Sequence, residues 1–329
     1  MAKEKPVFKH NFDTGEAMAL PWNLPSGRNF LWRIALWGTG LLLAVYAIFG
    51  RKFLSAYAEF IITVADFDTL SPDEQTERLP EFFSSMWGFT GTAVFVALFA
   101  WLVFIMVETA MHKNVFHGTD HGAFPLRFGK DELRVLIAQF VVFVCASLIY
   151  ILGIFVVALF VAFPARLGAS NGFLGSLLWL VTLIVFAAYI VILFRVLMGW
   201  APAAAMSVRD NKQRIFEGWT IVKGRNWPLF GTYVVVTIVG YFAVYSVMGV
   251  GGFIAFGNLE FMQLFTSTSD DPAVIITQLG EGLKQPRVMV PLVIFTIIYA
   301  LTMMLWYIHF WAVGTYMARL DAKEKGLMS

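Results

Sequence analysis

Glu108, Arg195 and His309 are the ionisable residues whose places in the chain point to a shared depth. They lie 22, 22 and 21 residues below Met86, Phe173 and Val288, where long apolar runs begin. At 1.5 Å per helical residue all three arrive about 32 Å down, at one face of a bilayer. Packed together they would form a polar cluster at the inner interface, because ionisable groups at membrane depth pair or face an interior. A simpler reading competes for two of them. Polar residues resume wherever a span ends, and Arg195 can snorkel to headgroups. His309 fits that reading less well, since apolar and aromatic residues continue beyond it to Met317. His112, His117 and His121, with Asp120, offer imidazole and carboxylate groups to a metal. They match no helical zinc spacing and fall on a Gly-containing stretch, so a solvated loop is the better reading. No metal or other cofactor is expected.

A third group sits in the basic stretch 202–230. Ile215, Phe216, Trp219 and Val222 recur at helical spacing among Arg209, Lys212, Arg214, Lys223 and Arg225. This pattern predicts an amphipathic helix over 209–223 lying on an anionic membrane surface, aromatic face down and cations toward headgroups, with Arg195 nearby. Cytoplasmic loops are rich in Lys and Arg in any case, so Phe216 and Trp219 carry the added information. Gln139, Trp306, Tyr307, Trp311 and Tyr316 are candidates to line a lipid groove, though such residues more often make interhelical contacts or interface belts. Gly-rich phosphate loops, GxSxG elbows and paired carboxylates at depth are missing, which argues against a P-loop pump or a Ser-His-Asp hydrolase.

These groups must be held by membrane helices. The chain of 329 residues is 59% hydrophobic and only 14% charged, far from the soluble average of roughly half apolar and a quarter charged. Six apolar runs, 29–49, 86–107, 135–163, 173–198, 229–256 and 288–317, each approach or exceed the ~20 residues that cross a bilayer. The expected fold is an all-α polytopic helical bundle with six transmembrane helices and interfacial amphipathic helices. Residues 1–28 and 318–329 would be juxtamembrane segments around a membrane domain at 29–317. The polar N-terminus does not read as a cleavable signal peptide. Of the 24 Lys and Arg, 18 fall on one side of such a bundle, which places both termini in the cytoplasm. The single cysteine, Cys145, excludes a disulfide or cysteine-based zinc site within one chain.

Outside the spans, Phe53, Tyr57, Phe60, Ile61 and Val64 recur at helical spacing, predicting an amphipathic helix along the outer surface. Ser71-Pro72-Asp73-Glu74 reads as a helix start, as does Asp271-Pro272, and 164–172 reads as a tight hairpin. Bends are expected at Gly153 and over 249–252. Phe124-Pro125-Leu126-Arg127-Phe128-Gly129 echoes Trp227-Pro228-Leu229-Phe230-Gly231, hinting at a repeat of spans two and three in spans four and five.

Phe194-Arg195 near a span end, Pro202 after it, then Ile215-Phe216-Glu217-Gly218-Trp219 and Lys223-Gly224-Arg225-Asn226-Trp227 before the next span resemble a bacterial family of integral membrane proteins. That family includes the membrane domain attached to some glycerophosphoryl diester phosphodiesterases and related stand-alone proteins. The resemblance covers about a tenth of the chain closely. It implies a bacterial inner-membrane helical domain, and no phosphodiesterase activity is expected without the soluble domain. Three functions are consistent with these readings. The first is a non-enzymatic protein that organises or binds lipid or partner membrane proteins. The second is a small-molecule or lipid transporter, and the third a membrane-embedded enzyme using Glu108, His309 or the loop histidines. Expected partners are the phospholipid bilayer, its anionic lipids and other membrane proteins, with no nucleic acid.

Overall fold

The structure, a computed structural model, describes residues 11–166, 173–256 and 285–328, and among them there is no strand. Three short helices, α1 (Thr14–Ala19), α6 (Ala203–Arg209) and α7 (Gly218–Val222), accompany six long ones. The long helices are α2 (Arg28–Thr69), α3 (Pro72–His117), α4 (Lys130–Arg166), α5 (Phe173–Trp200), α8 (Asn226–Phe256) and α9 (Pro286–Glu324). All six are long and apolar enough to cross a membrane, so the all-α polytopic bundle forms as its hydropathy dictates.

The helices α2 and α3, of 42 and 46 residues, are about 63 and 69 Å long, roughly twice the ~30 Å of hydrocarbon. The separate outer helix expected from Phe53, Tyr57 and Phe60 is therefore the far half of α2. Its spacing is helical, but the aromatic stripe covers α3 rather than a headgroup layer. Phe53, Tyr57 and Phe60 pack on Phe89, and Phe60 and Phe67 on Phe82, with ring centroids 4.9 to 6.3 Å apart. At the tip α3 starts at Ser71 as expected, and a capping box forms there. Glu74 Oε2 accepts from the Ser71 backbone N–H at 3.0 Å and from its hydroxyl at 2.6 Å. Gln75 then donates to the carbonyls of Phe67 and Leu70, tying the turn to α2.

The buried core lies at the opposite end, here termed the capped end. One cluster joins Phe30, Leu31 and Ile34 of α2, Val107 and Met111 of α3, and Met304 and Ile308 of α9, with Leu20 and Leu24 contributed by the N-terminal segment. A second joins Val222, Leu229, Tyr233, Val313 and Met317. The flanking segments are parts of this core. The Tyr316 hydroxyl donates to Glu16 at 2.7 Å, Phe12 packs edge-on to Tyr316, and α9 continues helically to Glu324. The boundaries expected at 28 and 318 thus separate nothing structurally.

Away from the capped end, α4, α5 and α8 show apolar side chains such as Phe155, Leu183 and Phe242 outward, the composition a lipid-facing surface requires. Gly153 does not break α4, and α8 runs unbroken through Gly249 and Gly251. Gly153 instead admits the Tyr189 ring, and Gly251 that of Phe295, because a Cβ at either would lie closer than 2.5 Å to the ring. The expected repeat does not hold at its echo: 124–129 has no regular secondary structure, whereas 227–231 opens α8. The two stretches share a fully buried leucine, Leu126 or Leu229. The hairpin expected at 164–172 falls largely, and the helix from Asp271 wholly, outside the described residues.

Gly38 marks a tight crossing of the core helices, since a Cβ there would meet Val107 at 2.6 Å and Met304 at 3.0 Å. Gly40, two residues on and so near the opposite side of the same helix, faces open space. Gly38→Val should therefore cost about 1–3 kcal/mol from overpacking, while Gly40→Val, with the same change in helix propensity, should leave the bundle's thermal midpoint in detergent near that of the wild type. Equal losses would show that the crossing is not tight.

Candidate functional site

Glu108 on α3 is 4% exposed, and a carboxylate so placed needs donors. It has two. Gln139 Nε2, on α4, donates to Oε2, and His112 Nε2, one turn further along α3, lies 3.2 Å from Oε1. The network extends both ways. Trp101 Nε1 donates to Gln139 Oε1 at 2.6 Å, while His112 Nδ1 lies 3.1 Å from the Thr315 hydroxyl on α9, which also reaches the Trp311 carbonyl at 2.9 Å. With the imidazole proton on Nε2 donated to Glu108, Nδ1 accepts from Thr315 only when the single hydroxyl proton turns from the Trp311 carbonyl to the ring. Four side chains thereby join α4, α3 and α9 at one depth.

Trp101, Glu108 and Gln139 of this array line a cavity of about 1180 Å³, larger than the roughly 300–1,000 Å³ usual for small-molecule sites. The cavity lies among α3, α4, α5, α8 and α9, with Ala203 and Ala204 of α6 at its capped end. Gln139, Tyr307 and Trp311 line it beside Trp101 and Phe104, so three of the five candidate groove residues do face a groove. Two do not: Trp306 packs into the notch left by Gly240, and Tyr316 holds Glu16. Phe143 and Ile238 on the walls are 65% and 63% exposed, so the cavity opens sideways between helices. Trp200 also lines it, and its buried indole N–H has no acceptor among the described residues. The lining contains no Lys or Arg.

Arg195 and His309 do not join Glu108. Arg195 is exposed on α5. His309 Nδ1 bonds the Leu305 carbonyl at 2.8 Å, and its ring lies against Trp22. The expected cluster is thus replaced by Glu108, His112, Gln139 and Thr315. The histidines do not converge either. While His112 is buried against Glu108, His117 reaches the Val208 carbonyl at 3.2 Å and His121 lies in the loop. Among the described residues no three His, Cys, Asp or Glu are grouped to hold a metal.

The basic stretch is not one helix. After α6 ends at Arg209 the chain turns through Asn211, whose φ is +54°, and only 218–222 is helical again. The turn is stabilised by the Arg214 backbone N–H donating to Ser207 Oγ at 2.9 Å. The buried residues of α7 are Ile221 and Val222, whereas Phe216 is 61% exposed and Trp219 packs on Gly199 and Trp200. Three of the cations assigned to headgroups are committed to acids. Arg209 donates to Asp321 at 2.8 Å, to the Ala318 carbonyl and to Asp210, Arg225 pairs with Glu324, and Arg214 pairs with Glu217 and Asp210. The Arg209 hydrogen bond holds the Asp210 carboxyl below its ordinary value. Lys212, Lys223 and Arg195 are exposed.

Compared with known protein families, with curated proteins and with solved structures, the chain matches none.

The loop 118–129 closes the capped end beside this site. Arg33 on α2 holds Asp120 and the Gly122 carbonyl, and Trp37 Nε1 donates to the Ala123 carbonyl at 2.8 Å. The Arg33 hydrogen bond keeps the Asp120 carboxyl below its ordinary value, near 3.9 in an unfolded chain. A depressed folded pKa stabilises above the unfolded value, and that contribution is lost as pH falls through the folded one. Hydrogen exchange over 118–129 should therefore stay slow from pH 7 to about 4 and rise only below it. Asp120→Asn should give the faster exchange at neutral pH. An Asp120→Asn protein with unchanged protection would show that this contact does not hold the loop.

Proposed function

We propose that this is a non-enzymatic protein of the bacterial inner membrane that binds a lipid-like amphiphile between its helices. The observation that carries this reading is the sideways-opening apolar cavity with Glu108, Gln139 and Trp200 on its wall. A membrane amphiphile can enter such a site from the bilayer with its chain already out of water. Both termini are assigned to the cytoplasm, because 18 of 24 Lys and Arg lie on the sides of the spans that share the capped end. There Phe216 and Trp227, strongly exposed, and the exposed Lys212, Lys223 and Arg195 support contact with anionic headgroups. That contact is looser than one amphipathic helix would make.

Two alternatives are less well supported. The Thr315, His112 and Glu108 array resembles a proton relay, but Thr315 is fully buried and lies off the cavity wall, so the hydroxyl it would need to present is not at the site. A transporter of the broken-helix kind would show discontinuous spans at mid-depth, whereas each of the six helices is continuous over its described length.

Native mass spectrometry of the full chain, extracted in mild detergent, tests the proposal. The wild type should retain an amphiphile, and Ala97→Trp, which projects a ring into the cavity from an exposed position on its wall, should lose it while still folding. A wild type carrying nothing, or a retained mass indifferent to Ala97→Trp, would contradict it. A chain seen only as lipid-free dimers would mean that a second copy covers the cavity.

A further inference from the structure

Among the residues that line this cavity, Glu108 alone is of a charged type, and no Lys or Arg stands beside it. Its bonded partners are the Gln139 amide, which is neutral, and the His112 imidazole, which needs no charge to donate from Nε2. The remaining polar residues of the lining, Tyr233, Thr237, Tyr307 and three tryptophans, are uncharged. Hydroxyls both donate and accept, so Tyr233, Thr237 and Tyr307 admit a ligand head of any charge. The carboxylate does not.

Aromatic rings flank the same carboxylate. Phe104 stands one helical turn before Glu108 on α3, and Trp101 holds the Gln139 amide that bonds it. On α9, the Tyr307 and Trp311 rings lie 4.7 and 6.0 Å from that of Phe104 and 5.7 Å from each other. All four rings line the cavity. The electrons of such rings attract a cation within about 6 Å of the ring centroid, most strongly where water is excluded.

We infer that the amphiphile held here carries a positively charged head, an alkylamine or quaternary ammonium, with Glu108 as its counter-ion and these aromatic rings beside it. The inference rests on the reading of the cavity as a ligand site. A phosphate or carboxylate head would leave water for an apolar space in which the charge on the wall has its own sign. A hydroxyl head would fill a lone pair of the carboxylate and leave its charge uncompensated. A cation offsets that charge, and the rings that replace its water also attract it. The outer surface of the capped end has the opposite preference, since the exposed Lys212, Lys223 and Arg195 attract anionic headgroups and repel cations.

The test uses three probes with the same hexadecyl chain and different heads: hexadecyltrimethylammonium, hexadecanol and hexadecyl phosphate. The quaternary head keeps its charge at any pH and has no N–H, so it reports charge apart from hydrogen bonding. Each probe is added in equal amount to delipidated full-length protein in a neutral detergent, and occupancy is read by native mass spectrometry. Hexadecyltrimethylammonium should bind at least about tenfold more tightly than hexadecanol, and hexadecyl phosphate should bind most weakly. Glu108→Gln, which keeps the shape and removes the charge, should weaken the cation about tenfold or more and leave hexadecanol unchanged. Phe104→Leu, which removes a ring and keeps an apolar side chain, should weaken the cation alone. If Glu108→Gln fails to fold, the wild-type ranking and Phe104→Leu decide the matter without it. Hexadecanol or hexadecyl phosphate bound as tightly as the cation, with all displaced by Ala97→Trp, would overturn the head-group inference while leaving the cavity a ligand site. A cation indifferent to Glu108→Gln would do the same. No binding of any probe, or binding untouched by Ala97→Trp, would overturn both.

Discussion

A carboxylate buried in a membrane bundle has to be hydrogen-bonded there, because an unpaired buried charge costs several kcal/mol. Glu108 meets that requirement by recruiting Gln139 from α4 and, through His112, Thr315 from α9. The consequence is architectural. Near the capped end α4 is tied to α3 by this contact, by Trp101 on Gln139 and by Lys113 on Asp131 and Glu132. Farther along, the apolar side chains of α4 face outward. There α4 packs on α5 at Gly153 and Tyr189, and the space left beside Gln139 among α3, α4, α5, α8 and α9 is the cavity. The same residues that satisfy Glu108 also set the polarity of the space they leave open.

The capped end is stabilised by a second set of buried charges. Arg209 with Asp321 and Arg225 with Glu324 join the α6–α8 region to the last turns of α9. Truncating one partner of a buried pair typically costs about 3–5 kcal/mol because the other is left uncompensated, so these pairs hold register between segments about a hundred residues apart. The α2–α3 hairpin depends on neither set. It is held by stacked Phe and Tyr rings out to a capped tip, which lets it extend well past the thickness of the hydrocarbon.

The six spans were legible because hydropathy over twenty residues is a strong signal, and the Ser71 start was legible because a capping box is local. The segregation of Lys and Arg likewise anticipated that both chain ends share one end of the bundle. What failed was long-range. The spacing of Phe53, Tyr57 and Phe60 was read correctly as helical, but periodicity does not say whether a stripe meets headgroups or another helix, and Phe82 and Phe89 on α3 decided it. The basic stretch looked free because Asp321 and Glu324 are remote in sequence. Their presence in an otherwise basic tail was the available hint. Depth counting placed Glu108 well yet chose its partners poorly, since equal depth says nothing of which way a helix faces. His112, one helical turn from Glu108, is the local signal for the true partner. Gln139 and Tyr307 were recognised as groove candidates, although the same reasoning could not separate them from Trp306, which fills the notch at Gly240.

The most direct test of this account is a cryo-electron microscopy map of the full chain in discs of its own membrane lipid, at a resolution that shows side chains. The account predicts an elongated density between α3, α4 and α8 whose polar end lies within hydrogen-bonding reach, about 2.7–3.2 Å, of Glu108. An α4–α5 pair closed onto α8, with Phe140 and Phe143 filling the space and no density beside Glu108, would contradict it.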